Sequence, residues 1–110
     1  MAIYANLYAD QGSSFEATIN VTGANGTAAD LTGYTAAAQA RRTYTSPTAF
    51  TFTATVAVPS EGAVRISMTD TVTDTMKGRY MYDVEITDSS GIVTRVIEGQ
   101  YEVAPSITRS

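Results

Sequence analysis

The chain contains neither His nor Cys. Serine triads, cysteine nucleophiles and His- or Cys-based zinc sites therefore lack their working groups. Carboxylates are what remain for acid–base work. A glycosidase needs two of them across a cleft, and Asp83 with Glu85, or Glu98 with Glu102, could nominally serve. Each pair, however, is separated by an even number of residues within an alternating run, which puts both acids on one face of a strand, about 7 Å or more apart. That is the pattern of a solvated strand face and a protected edge. Asp70, Asp74 and the Asp88-Ser89-Ser90-Gly91 turn offer hard oxygen ligands for Ca²⁺, but their spacing matches no dedicated binding loop, and Asp opens turns for hydrogen-bonding reasons alone. Gly23 and Gly26 do not precede a helix, and no Gly-Lys-Ser/Thr follows them, so a phosphate loop is absent. The reading is of a chain without catalytic, cofactor or metal sites.

Tyrosine is the residue type that points outward to a partner. Seven occur in 110 residues. Tyrosine is enriched where proteins meet proteins or carbohydrate. Tyr4, Tyr8 and Tyr44 fall on polar faces or in loops and are the candidate contact residues, whereas several of the others must be core.

Charge narrows the partners. Seven basic residues stand against eleven acidic ones, a net charge of −4, so the general attraction to phosphate that underlies nucleic-acid binding is missing. Arg41-Arg42 is the only basic pair, and neighbours on a strand point to opposite faces. No window approaches eighteen apolar residues, and Met1-Ala2-Ile3-Tyr4-Ala5-Asn6 carries no basic-then-apolar leader pattern, so neither membrane nor secretory route is expected. Asn20-Val21-Thr22 and Asn25-Gly26-Thr27 fit the glycosylation acceptor pattern, yet read as strand and turn chemistry.

The elements that must position these residues announce themselves by period-two alternation. Ile3, Ala5 and Leu7 oppose Tyr4, Asn6 and Tyr8. Phe15, Ala17, Ile19 and Val21 oppose Glu16, Thr18 and Asn20, and Phe50, Phe52, Ala54 and Val56 oppose a row of threonines. Tyr34, Ala36, Ala38 and Ala40 make a small-residue face, which leaves room for large residues from the opposite sheet, a volume that Phe50 and Phe52 on the next strand could supply. Val64, Ile66 and Met68 follow the Pro59-Ser60-Glu61-Gly62 turn. Residues 69–77 lack alternation and read as a crossover with one helical turn capped by Thr69 or Asp70. Tyr80, Tyr82, Val84 and Ile86 build the next row, then the Asp88–Gly91 turn and a strand from Ile92 to Glu98. Gly99 reads as a bulge or bend before a last short strand at Tyr101 and Val103, ended by Pro105. Gly23-Ala24-Asn25-Gly26 and Asp30-Leu31-Thr32-Gly33 are turns.

Seven or eight short strands at this turn spacing, in a chain long enough for one core, predict a single all-β domain over residues 1–110, an antiparallel sandwich. Gly78-Arg79-Tyr80-Met81-Tyr82, after the crossover, resembles the start of strand F in immunoglobulin-like domains, with Tyr80 as the corner tyrosine that bonds back to upstream backbone. Tyr82 stands where antibody domains carry a cysteine, and their partner cysteine and core tryptophan are missing too, which excludes that subfamily.

From Asp30-Leu31-Thr32-Gly33-Tyr34 through Arg41, then Gly62-Ala63-Val64, Gly78 to Ile86 and Ser90 to Gly99, and on to Val103-Ala104-Pro105-Ser106-Ile107-Thr108-Arg109, the chain resembles a small immunoglobulin-like domain of tailed-bacteriophage virion proteins. The likeness covers about three-quarters of the chain. It implies a virion structural protein, first a capsid decoration or cement subunit, or else a baseplate, neck or tail adaptor or fibre-base component. The implied partners are other virion proteins and copies of itself, assembled in the bacterial cytoplasm. A carbohydrate-binding module using the exposed tyrosines is the reading from another class. Extended terminal arms at about 1–6 and 105–110, the second carrying Arg109 as a further interface candidate, are the segments expected to reach a neighbour.

Overall fold

A computed structural model describes residues 3–22 and 28–105. Its strands are β1 (Ile3–Tyr4), β2 (Leu7–Asp10), β3 (Phe15–Asn20), β4 (Thr35–Arg41), β5 (Phe50–Val58), β6 (Ala63–Met68), β7 (Gly78–Thr87) and β8 (Val93–Ala104). A short 3₁₀ turn (Pro59–Glu61) joins β5 to β6, and one helical turn, α1 (Asp70–Thr73), lies in the crossover from β6 to β7. The fold is all-β, as the alternation requires.

Hydrogen bonding runs through the strands in the order β1-β8-β7-β4-β5-β6-β3, with β2 also on β8. β5 makes this continuous: Phe50 and Phe52 pair with Ala40 and Ala38 of β4, whereas Thr53 to Val58 pair with β6. The sheet also curls. Phe15 on β3 and Tyr101 on β8, far apart in strand order, meet ring to ring at 5.1 Å. Phe52 touches both, at 5.9 and 5.0 Å, and reaches Tyr82 at 6.4 Å. These tilted and edge-on ring contacts, packed with Val64, Ile66, Val84 and Val103, form the floor of one core.

The pairing is mixed rather than antiparallel throughout. β1 and β2 run parallel to β8, with Ile3 opposite Ile97 and Leu7 opposite Tyr101. A hairpin turn imposes antiparallel direction on its two strands; these segments meet a partner from the far end of the chain and are free of that constraint. Residues 3–6, expected as an extended arm, are extended but lie along their own sheet, and Ala5, Leu7 and Ala9 turn inward against the core.

Three other expectations change. Phe50 and Phe52 cover the alanines of β4 as register partners within the same ladder, not from across the core. Thr69 occupies the N-cap position of α1 without a side-chain cap bond; the Asp70 carboxylate instead accepts the N–H of Thr71. Gly99 is not a bulge: β8 continues unbroken to Ala104, and the irregularity in its pairing with β7 falls between Val84 and Glu85. The turn at Gly23–Gly26, the arm residues Met1, Ala2 and Ser106–Ser110, and Arg109 lie outside the described residues.

Two buried plugs close the core from outside the strands. Leu31 sits in the Asp30–Gly33 turn, where the Asp30 carboxylate accepts the N–H and hydroxyl of Thr32 at 3.0 and 2.6 Å, which holds that carboxyl below its usual range. Met76 follows α1, whose Thr73 is also buried and donates its hydroxyl to the Ser13 carbonyl at 2.8 Å.

Candidate binding face

Register fixes which side chains share the outer face of the β1/β2-β8-β7-β4 surface. One row across it reads Tyr4, Glu98, Asp83, Gln39, and another Tyr8, Glu102, Arg79. Met81 and Arg41 form part of the row between them. Tyr4, Tyr8 and Tyr44 are 65%, 69% and 77% exposed.

Tyr4 and Tyr44 belong to one groove of ≈ 310 Å³, with Gln39, Met81, Asp83 and Arg95 among its other walls. They come from separate elements: Tyr4 from β1, three strands from β4, and Tyr44 from the loop that follows β4. Tyr8 shares the face but does not line the groove.

Both tyrosines stand on restrained backbone. Tyr44 lies in the loop after β4, where Arg41 donates to the Ser46 carbonyl at 2.5 Å and to Gln39 Oε1 at 3.3 Å, and the Ser46 N–H closes a turn on Thr43. Tyr4 is followed by Ala5, whose N–H bonds the Glu98 carbonyl at 2.8 Å and whose carbonyl accepts the Tyr82 hydroxyl at 2.7 Å. The Asn6 side-chain oxygen accepts the N–H of Gln100, so a side chain stands in for backbone where β1 breaks from β2.

Gly99 makes this approach possible. A Cβ there would lie 2.0 Å from the Ala5 carbonyl oxygen, a distance no side chain tolerates. Burial, and secondarily Tyr4, pushes the Tyr82 hydroxyl up to about 12, so it stays a neutral donor to that carbonyl.

Three of the four acids in the two carboxylate pairs, Asp83, Glu98 and Glu102, are engaged with arginine. Arg95 meets Asp83 at 3.2 Å and Glu98 at 3.5 Å, and Arg79 meets Glu102 at 3.8 Å. Arg41 and Arg42 diverge: Arg42 donates to the carbonyls of Lys77 and Arg79 and lies over the Tyr80 ring, 4.2 Å from its centroid. The Tyr80 hydroxyl accepts the N–H of Lys77 at 3.1 Å, three residues upstream. The Asp88 carboxylate accepts the N–H groups of Ser90 and Ile92, as a turn-opening Asp does. Among the described residues no group of three acidic side chains converges to hold a metal ion, and no helix is long and apolar enough to cross a membrane.

The alternation of β7 marks Met81 and Asp83 as outward residues, but nothing local announces that β1 lies beside β8 or that the loop after β4 folds over the face. The groove is a product of those two placements. No protein-family model and no curated protein matches the chain.

Proposed function

We propose that this chain is an immunoglobulin-like structural domain of a tailed-bacteriophage virion, a capsid decoration or cement subunit that binds neighbouring virion proteins and copies of itself. Strand order supports the fold. Split at β5, it gives β4-β7-β8 and β5-β6-β3, which correspond to C-F-G and D-E-B of the immunoglobulin arrangement. Tyr80 supports it further, because its hydroxyl accepts a backbone N–H three residues upstream at the start of the strand equivalent to F.

The observation that carries the functional reading is the outer surface. Exposed threonines at 51, 53 and 55, ion-paired carboxylates, and Tyr4, Tyr8 and Tyr44 together on one face make a surface fitted to adhesion rather than turnover. The exposed Ile92 and Val93, at the turn into β8, add an apolar contact point. The likeness to phage virion domains over Gly78–Ile86 and Ser90–Gly99 supplies the assembly.

Mass spectrometry of particles purified from a lysate carrying this gene tests the proposal. A decoration subunit is present at a copy number comparable with the capsomers. Far fewer copies per particle indicate a baseplate, neck or tail component, and absence from the particle overturns the reading.

A further inference from the structure

We infer that the groove between Tyr4 and Tyr44 is a binding site for a neutral oligosaccharide. Sugar rings have flat apolar faces edged by hydroxyls, so a site for them needs aromatic faces together with fixed planar hydrogen-bonding groups. The groove holds both. Tyr4 and Tyr44, well over half exposed, line it together with Gln39, Asp83 and Arg95.

These polar groups are already oriented. Arg95 is clamped between Asp83 and Glu98, and Arg41 holds Gln39 and the Tyr44 loop together. Tyr4 is anchored through its neighbour Ala5. A ligand entering such a site meets groups whose ordering cost is largely met by the fold.

Charge selects the class of ligand. Two arginines, Arg41 and Arg95, line the groove against three acids, Asp83, Glu85 and Glu98, which disfavours phosphate or an acidic sugar. The volume lies at the lower end of the range of small-ligand pockets. The inference does not rest on the virion reading: it assigns Tyr4 and Tyr44 to a sugar and leaves Tyr8, Ile92 and Val93 as the protein contacts of that reading, which particle mass spectrometry tests, so either can fail alone.

The test is an NMR titration of the intact chain with maltohexaose, cellohexaose, laminarihexaose and chitohexaose, each to about 10 mM, a range that captures weak binding. The expected result is saturable shifts at the Gln39, Tyr44, Asp83 and Arg95 amides with at least one of them. Tyr4→Ala and Tyr44→Ala each weaken that binding about tenfold, the loss of one aromatic contact, while Tyr8→Ala leaves it unchanged. Circular dichroism confirms that the variants are folded. The inference is overturned if none of the four sugars gives saturable shifts, if both tyrosine substitutions leave binding intact, or if polygalacturonate binds in place of the neutral sugars. It also fails if sedimentation shows that Tyr44→Ala dissociates a dimer, since the face then belongs to a second copy.

Discussion

The hydroxyl of Tyr82 donates a 2.7 Å hydrogen bond to the carbonyl of Ala5, 77 residues earlier in the chain, across a gap that exists because residue 99 has no side chain. Tyr82 thus ties β7, across β8, to the segment that follows the edge strand β1.

Replacing Tyr82 by Phe keeps the ring against Phe52 and removes only that donor. The expected loss is about 1 kcal/mol, the usual net worth of such a bond. Hydrogen exchange locates it: the N–H groups of Ala5 and Gln100 exchange faster, and those of β6 do not change.

Gly99→Ala acts on the same contact from the other side. A methyl group 2.0 Å from the Ala5 oxygen forces β1 off β8. Overpacking of this kind costs about 2 kcal/mol, and here the obstruction is backbone. Urea unfolding measures the loss, and exchange again localises it to residues 3–8. A substitution that leaves both unchanged contradicts the placement of β1.

Phe52 is the hub of the ring cluster, touching Phe15, Tyr82 and Tyr101 from a position opposite Ala38. Phe52→Ala leaves a cavity beside an alanine that cannot fill it. A destabilisation of roughly 3–5 kcal/mol follows. The midpoint of urea denaturation falls accordingly.

Alkaline pH separates the buried tyrosines. Burial raises both Tyr82 and Tyr101 to about 12, against 10.0 for an unperturbed tyrosine. Between those values the unfolded chain releases protons that the folded chain retains, so stability falls as pH rises through that window and is level below it. Each tyrosine contributes about 2 kcal/mol to the decline. Unfolding free energies from pH 9 to pH 12 read the slope, and Phe at both positions flattens it. Among the described residues the Tyr101 hydroxyl has the Met68 sulfur, at 3.6 Å, as its hydrogen-bond partner, a weak acceptor, so Tyr101→Phe costs little at neutral pH.

Strands such as β5 and β7 were legible because one inward row and one outward row repeat over their length, and a wrong register would bury threonine or expose valine. The turn at Asp88 was legible for the same local reason. Leu31 and Met76 were not, since a single apolar residue among Asp, Thr and Gly carries no period; only the assembled core shows the openings they fill. Gly99 was visible as an exception within its strand, but the cause is a carbonyl from the other end of the chain. The three outward tyrosines were recognisable one by one. That Tyr4 and Tyr44 share a groove depends on parallel pairing with β8, which no short-range pattern encodes.

That pairing sets a schedule for folding. The bond from Gln100 to Asn6 spans 94 residues, so β1 and β2 have no ladder to join until β8 has been synthesised. A nascent chain must hold an alternating apolar stretch in reserve through that interval, and contacts of such long range slow the search for the native state. Trimming the last ten residues of β8 would accordingly strip β1 and β2 of their partner as well, so damage to one strand is felt in two others that precede it by some ninety residues.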